Sequence, residues 1–147
     1  MHFSMFKIFN SWQIWHDFRV GDFPRALSKM QSNSLLQQFD WFLRLRALTY
    51  YRLGMYSTAA SLPIIMTNWQ AVWPVIVSLA ACGNHERSRE ILRRLPWDSI
   101  PVSKKVALAA ALCPFIPDES LRLLQALGDA APAPLYAGVL LRTGNRQ

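Results

Sequence analysis

The residues that could support catalysis are few and dispersed along the chain. Histidines occur only at positions 2, 16 and 85, and the nine Asp and Glu residues show no spacing typical of acid–base or metal sites. The sequence contains no glycine-rich phosphate loop, no His-Glu-x-x-His motif and no Ser or Cys nucleophile motif. Asp118 and Glu119 are adjacent, which we interpret as favourable charge at a helix start. The sequence therefore predicts a non-catalytic segment without a cofactor or a metal ion.

Basic residues are the clearest candidates for binding. The chain has 16 Lys and Arg residues against 9 Asp and Glu, and the resulting formal net charge of +7 favours acidic partners. Two interpretations are open: each helix exposes an ordinary solvated face, or the fold gathers the basic side chains into one stripe. The candidate basic binding face comprises Arg44, Arg46, Arg52, Arg87, Arg89, Arg93, Arg94, Lys104 and Lys105.

A stripe of this kind would attract an acidic protein, the phosphate head groups of a membrane, or RNA. Nucleic acid is the weakest of the three. The chain has no recognisable nucleic-acid-reading module, and its aromatic residues follow core spacing and do not interleave with basic ones. We therefore expect a protein partner, self-association or an anionic membrane surface.

A second candidate surface lies in the N-terminal segment, where aromatic residues recur every three positions. Its members are Phe6, Phe9, Trp12 and Trp15. A period of three drifts around an α-helix, so these side chains would cover much of its circumference. This pattern favours burial of the first helix over a membrane-surface helix, which would separate its apolar and cationic faces. A dimer interface is the remaining interpretation, because aromatic residues are enriched there.

The composition predicts one folded domain. A chain of 147 residues with 52% hydrophobic and 17% charged residues is typical of a protein with a sizeable core. Cys82 and Cys113 have apolar neighbours and no metal-ligand spacing, which predicts buried, reduced thiols. No apolar run approaches the ~20 residues that a bilayer span requires, and no signal-peptide pattern opens the chain. We predict a cytoplasmic protein and leave peripheral contact with a membrane open.

A turn that recurs at intervals of about 30 residues organises the chain. A glycine closes one helix in a left-handed backbone conformation, and the Asp or Asn that follows caps the next helix. The last interval between glycines is about twice the earlier ones, so we predict a further turn in which Pro and Asp replace the glycine and the capping residue. The turn residues are Gly21, Asp22, Gly54, Gly83, Asn84, Pro117, Asp118 and Gly144.

Apolar residues on both sides of each turn repeat every three or four positions, which predicts helices and no strands. Ala26, Ala59 and Ser88 occupy the same offset after their glycines, where a small side chain lets paired helices approach closely. The predicted helices cover 4–19, 23–31, 35–53, 56–66, 69–82, 85–95, 102–113, 118–127 and 133–143.

Start and stop signals support these helix boundaries. Ser34 and Thr67 are each followed three residues later by glutamine, as in the capping box at a helix start. Pro63 and Pro74 fall inside predicted helices, and each should shorten or kink its helix because proline lacks an N–H and clashes with the preceding turn.

Two of the turns resemble the helix-turn-helix junction of tetratricopeptide repeats. They read RVGDFPRAL at 19–27 and ALTYYRLGMYSTA at 47–59, and the similar period extends over nearly the whole chain. The resemblance implies an all-α fold in which antiparallel helix pairs stack as a right-handed TPR-like α-solenoid. It also implies a scaffold that binds peptides or protein partners in the groove of the superhelix.

The C-terminal end bears on domain organisation. The segment 135–141 is apolar and the sequence stops soon after Gly144, whereas a terminal repeat normally carries a polar capping helix. We predict that 1–147 is a single TPR-like domain forming the N-terminal part of a longer protein. Its predicted function is a non-catalytic scaffold for protein–protein interaction or self-association. The alternative is an accessory N-terminal domain of a bacterial membrane-peripheral glycosyltransferase of surface polysaccharide synthesis, which rests on analogy.

Overall fold

The computed structural model describes residues 3–32, 36 and 39–144, with side chains from Ser11 onward. The described residues form α-helices and no strand, which confirms the predicted all-α class. No described helix is both long and apolar enough to cross a bilayer. The helices in this part of the chain are α1 (Phe3–Arg19), α2 (Phe23–Gln31), α3 (Asp40–Arg52), α4 (Tyr56–Ala60), α5 (Trp69–Ala81), α6 (His85–Arg94), α7 (Val102–Leu112), α8 (Pro117–Leu127) and α9 (Ala133–Arg142).

Three of the predicted glycine turns share one backbone geometry. Their φ angles are +83°, +73° and +86° at Gly21, Gly54 and Gly83. At the second turn, the Gly54 N–H donates to the Tyr51 carbonyl at 3.0 Å and the next N–H donates to the Tyr50 carbonyl at 2.9 Å. These two bonds form the Schellman motif, which ends α3 and turns the chain into α4. The predicted turns are therefore confirmed at these positions.

The predicted caps at the first and third turns are also confirmed. Asp22 Oδ1 accepts a hydrogen bond from the Arg25 N–H at 3.3 Å, and Asn84 Oδ1 accepts one from the Arg87 N–H at 3.3 Å. Each cap satisfies one of the amide groups that a helix start leaves without a partner.

The predicted turn without glycine lies between α7 and α8. Pro117 is the first residue of α8, as its fixed φ favours. Asp118 lies inside the first turn of α8, and Ile116 occupies the cap position, so the expected capping role of Asp118 is wrong. Gly144 follows α9 with a φ of +75°, in agreement with the predicted turn there.

Small residues occupy the fourth position of α2, α4, α6 and α8, the helices that follow the turns at Gly21, Gly54, Gly83 and Pro117. Ala26, Ala59 and Ser88 are fully buried, as close helix approach requires, and Ser120 of α8 is an equivalent residue that the sequence pattern did not reveal. The Ser88 hydroxyl donates to a carbonyl of α5 at 2.9 Å, and the Ser120 hydroxyl donates to the Ala109 carbonyl of α7 at 2.6 Å. Each bond joins the two helices that flank a turn.

Two helices are shorter than predicted by several residues. The helix α3 begins at Asp40 and not at 35; the proposed cap Ser34 lies outside the described residues. The helix α4 ends at Ala60 and not at 66. Pro63 accounts for this early end, because proline lacks an N–H and disfavours helical backbone in the residue before it.

The helix α5 matches its predicted range of 69–82 to within one residue, but the expected effect of its proline is absent. It continues through Pro74 to Ala81, so Pro74 does not shorten it. Almost all of the residues from Val72 to Ala80 are buried, and this packing offsets the hydrogen bond that proline cannot make. The cap position is occupied by Asn68, so the predicted cap at Thr67 is wrong.

Buried residues form three clusters in chain order. The first joins α1, α2 and α3, the second is centred on α5 with α6 and α7, and the third joins α7, α8 and α9. The main helix contacts are with helices one or two places along the chain, and α5 packs against α3, α4, α6 and α7. The fold therefore buries its apolar residues in succession along the chain.

Two polar features of the packing were unexpected. Asp17 of α1 is buried, and Lys29 Nζ of α2 lies 2.5 Å from its Oδ2, so an ion pair joins the first two helices. Cys82 and Cys113 are both free thiols, but Cys82 is exposed and Cys113 is only partly buried, so their predicted burial is wrong. Each cysteine follows the last residue of its helix, Cys82 after α5 and Cys113 after α7.

Candidate functional site

A groove of about 500 Å³ opens between α1, α3, α5, α7 and the segment 95–100. Its volume falls within the range of about 300–1,000 Å³ that is usual for ligand pockets. Because it is bordered by several helices, each helix contributes only a few residues to it. The residues that line the groove are Trp15, Phe18, Trp41, Arg44, Leu45, Leu48, Arg52, Trp69, Gln70, Trp73, Leu95, Ile100, Lys104, Ala107 and Leu108.

Each helix presents one face to the groove. On α3 the lining residues Trp41, Arg44, Leu48 and Arg52 are three or four positions apart, which places them in one row along the helix. The other three helices show the same spacing of three or four positions. The lining residues are Trp15 and Phe18 on α1, Trp69, Gln70 and Trp73 on α5, and Lys104, Ala107 and Leu108 on α7. The groove is therefore built from one row of side chains on each odd-numbered helix from α1 to α7.

The groove has an apolar floor. Leu45, Leu95, Ile100 and Leu108 are each buried to 95% or more, with exposed fractions of 3%, 5%, 5% and 4%. Leu45 belongs to the cluster around α1 to α3, and the other three belong to the cluster centred on α5. The floor thus spans two of the three core clusters and is fixed by their packing.

Four tryptophans form much of the wall. Trp41, Trp69 and Trp73 are half-buried, and Trp15 is 43% exposed. The Trp73 ring packs edge-to-face against Tyr51, with ring centroids 5.3 Å apart. Such contacts hold an indole in place while part of its surface stays open to a ligand.

Tyr51 lies behind this wall. Burial raises the pKa of its phenol above the ordinary value, and the neighbouring Tyr56 adds to the increase, whereas Arg52 acts in the opposite direction. The phenol is therefore held neutral between Trp73 and Tyr56.

Three cations line the groove, and they come from α3 and α7. Arg44 Nη1 donates to Gln70 Oε1, which links α3 to α5, while Arg52 and Lys104 are exposed at the rim. All nine Asp and Glu residues of the chain lie in its described part, and none of them lines the groove. None forms an ion pair with Arg44, Arg52 or Lys104 either. The groove therefore carries three positive charges without a compensating Asp or Glu side chain.

Several of the carboxylates lie on α6 and α8, where they pair with arginines. Arg89 of α6 contacts Asp118 at 2.9 Å and Glu119 at 3.4 Å, both on α8. Arg87 pairs with Glu90 at 2.9 Å within α6. All of these contacts neutralise charge away from the groove, and those of Arg89 also connect α6 to α8.

Only three of the nine residues of the predicted basic face line the groove. Arg44, Arg52 and Lys104 line the groove, whereas Arg46 lines a separate cavity of about 200 Å³ with Leu43, Leu62 and Ile65 among others. Arg87 and Arg89 are engaged in the ion pairs described above. The remaining three, Arg93, Arg94 and Lys105, do not line the groove.

The predicted aromatic surface is also divided. Trp15 lines the groove, while Trp12 is 62% exposed and stacks on His16 with ring centroids 5.4 Å apart. The side chains of Phe6 and Phe9 lie outside the described residues. The expected burial of the first helix is wrong for Trp12 and Trp15, because α1 buries Ile14 and Asp17 and turns its tryptophans outward.

Trp41, Trp69 and Trp73 are groove residues that the sequence pattern did not single out. Their spacing is that of a core, and the expectation that aromatic and basic residues are separate is wrong in the groove. The sequence did contain one signal of the groove, because the spacing of Trp41, Arg44 and Arg52 places them on one face of α3. The turn residues predicted from sequence serve the backbone and do not line the groove.

Among the described residues, no group of three or more His, Cys, Asp or Glu could hold a metal ion. Comparisons with protein-family models, with curated proteins and with solved structures give no match. The function must therefore be inferred from the geometry and chemistry of the groove.

Proposed function

We propose that this chain is a non-catalytic helical-repeat scaffold whose groove holds a short segment of a partner protein. The observation that carries the proposal is the composition of the groove: partly open tryptophans and exposed cations above a buried apolar floor. Tryptophan, tyrosine and arginine are the residues most enriched among the energetic anchors of protein interfaces, which cluster in well-packed pockets near the centre of the interface.

We further propose that the helices form a TPR-like α-solenoid of antiparallel pairs. Three features support this arrangement: the turns recur with one geometry, neighbouring helices make most of the contacts, and the buried clusters follow one another along the chain. In solenoids each repeat contacts mainly its neighbours, and the stacked repeats create an extended concave binding surface. The row of groove residues on every odd-numbered helix from α1 to α7 fits such a surface.

The six tryptophans allow a direct test by nuclear magnetic resonance. Trp15, Trp41, Trp69 and Trp73 line the groove, whereas Trp12 and Trp97 do not. Trp12 stacks on His16, and the Trp97 indole N–H donates to the Leu92 carbonyl at 2.9 Å. A binding peptide, selected from a random dodecapeptide library on the intact chain, should shift the indole signals of the four groove tryptophans. The Trp12 and Trp97 signals should stay in place.

A pair of matched variants separates the groove from the rest of α1. Trp15→Ala should weaken peptide binding, whereas Trp12→Ala removes a more exposed tryptophan of the same helix and should leave binding unchanged. Shifts confined to Trp12 and Trp97, or equal losses in the two variants, would contradict the proposal. Self-association through the groove would instead give shifts of the four signals that depend on protein concentration without any peptide.

A further inference from the structure

We infer that the groove selects protein segments in which an acidic residue lies beside a large apolar residue. This inference rests on the proposed function and adds the chemistry of the partner. The two parts of the motif correspond to the two kinds of surface in the groove: the unpaired cations and the apolar floor with its tryptophans.

The positive charge of the groove favours an acidic residue in the partner segment. Arg44, Arg52 and Lys104 share one partly enclosed space, and none of the nine Asp and Glu side chains offsets them there. Like charges repel more strongly in such a space than in open water because the effective dielectric constant is lower. An incoming Asp or Glu would relieve this repulsion and accept charge-assisted hydrogen bonds from the cations.

The position of the cations predicts the order of acidic and apolar residues in the partner segment. Arg52 belongs to α3 and Lys104 to α7, and α5 packs against both of these helices. The helix α5, which carries Trp69 and Trp73, therefore lies between the two helices that carry these cations. A segment that crosses the groove would place its apolar residue against the α5 tryptophans and acidic residues on either side.

The floor favours a protein segment over a single-stranded nucleic acid, which would also be attracted to cations and aromatic rings. The buried side chains of the floor are all aliphatic and would contact leucine or phenylalanine side chains, which nucleic acids lack. A nucleic-acid strand also needs a continuous basic track for its phosphates. The arginines on α6 do not extend the groove, and two of them are already in ion pairs.

The test compares peptide selection on the wild-type chain with two double variants of equal charge. Arg52→Gln with Lys104→Gln removes two groove cations, and Arg93→Gln with Arg94→Gln removes two exposed arginines outside the groove. The library displays dodecapeptides as N-terminal fusions, so that no free C-terminal carboxylate is offered. Peptides selected on the wild type should be enriched in Asp and Glu next to Trp, Phe or Leu.

The affinity of these peptides should then depend on the position of the removed charge. Loss of each groove cation should weaken binding about fivefold, the factor that corresponds to about 1 kcal/mol for an exposed ion pair. The groove double variant should therefore bind about 25-fold more weakly, and added NaCl should reduce wild-type binding. The control double variant has the same net charge and should bind within about twofold of the wild type. Circular dichroism melting of both variants verifies that each is folded.

The outcomes separate this inference from the function on which it depends. The selected peptides could be neutral or basic, shift the groove indole signals, and bind the groove double variant as tightly as the wild type. This result would overturn the acidic motif and leave the proposed function intact. Failure of every selected peptide to shift the groove indoles would overturn both. Binding of a thymidine oligonucleotide that displaces the peptides would show that the groove accepts nucleic acid, which would also overturn the inference.

Discussion

The glycine at the second turn offers a quantitative test of the fold. Gly54 has a φ of +73°, and a Cβ placed on it would meet no heavy atom within 4 Å. The change Gly54→Ala therefore introduces no steric clash with the rest of the protein. Its effect on stability comes from the backbone alone, because an L-residue is strained at this φ.

The expected loss of stability follows from two opposing terms. The left-handed conformation costs a residue with a Cβ about 1–2 kcal/mol. Alanine also restricts the unfolded chain more than glycine does, and this difference raises the free energy of unfolding by about 0.4–1 kcal/mol. The free energy of unfolding should therefore fall by about 1 kcal/mol, and Tm should decrease by about 3 °C for a domain of this size.

A second glycine provides a matched control. Gly138 lies inside α9 without a positive φ, and a Cβ there would also meet no heavy atom within 4 Å. Gly138→Ala should raise stability by about 0.5–1 kcal/mol, because glycine disfavours a helix interior. Thermal melting and urea unfolding, both followed by far-ultraviolet circular dichroism, measure the two variants. A Gly54→Ala variant at least as stable as the wild type, or two variants that change in the same direction, would refute the reasoning.

Other features predict further measurable effects. Ser120→Ala removes the hydrogen bond to Ala109 that joins α8 to α7, and it should lower the unfolding free energy by about 1 kcal/mol in urea unfolding. Arg89→Gln breaks the ion pairs to Asp118 and Glu119 and should cost up to about 1 kcal/mol, an effect that added NaCl should reduce. The raised pKa of Tyr51 means that the folded state holds the phenol proton more tightly than the unfolded chain does. Its contribution to stability is therefore fully present below pH 10.0, the ordinary pKa of tyrosine, and is lost as the pH rises through the folded pKa. Tyr51→Phe should reduce this alkaline loss in urea unfolding measured as a function of pH.

Two of these predictions have close controls. Ser61→Ala removes an exposed hydroxyl-to-carbonyl bond within the turn after α4 and should leave stability nearly unchanged. Arg94→Gln removes the same charge as Arg89→Gln from the same helix at an exposed position. Equal effects in Ser61→Ala and Ser120→Ala, or in the two arginine variants, would show that the contacts between helices do not cause the losses. An alkaline profile that Tyr51→Phe does not alter would contradict the role assigned to that phenol.

The turns were predictable from sequence because their causes are local. A glycine in a left-handed conformation and a capping side chain act within about one helical turn. The turns at Gly21 with Asp22 and at Gly83 with Asn84 could therefore be predicted without knowledge of the rest of the fold. The effect of a proline inside a helix depends on longer-range packing and was less predictable. The helix α5 continues through Pro74 because its neighbours bury it on most sides, and no local pattern records that burial.

The groove was only partly predictable, because it forms where separate helices meet. Arg52 and Lys104 are far apart in sequence, and Trp41, Trp69 and Trp73 have a spacing that also suits a buried core. Whether a half-buried tryptophan faces a neighbouring helix or an open space depends on the distance between helices. Sequence periodicity reports which side chains share a face and does not report what lies opposite.

Charge density along the sequence was a poor guide to the charge available for binding. The helix α6 has four arginines within Arg87–Arg94, the densest basic cluster in the chain, yet Arg89 is paired with α8 and Arg87 with Glu90. The groove has only three cations, on two helices, and none of them has a carboxylate partner. A cation that is already paired must exchange one partner for another, and its net gain on binding is small. The groove is therefore the better candidate for an acidic partner, although α6 has more positive residues.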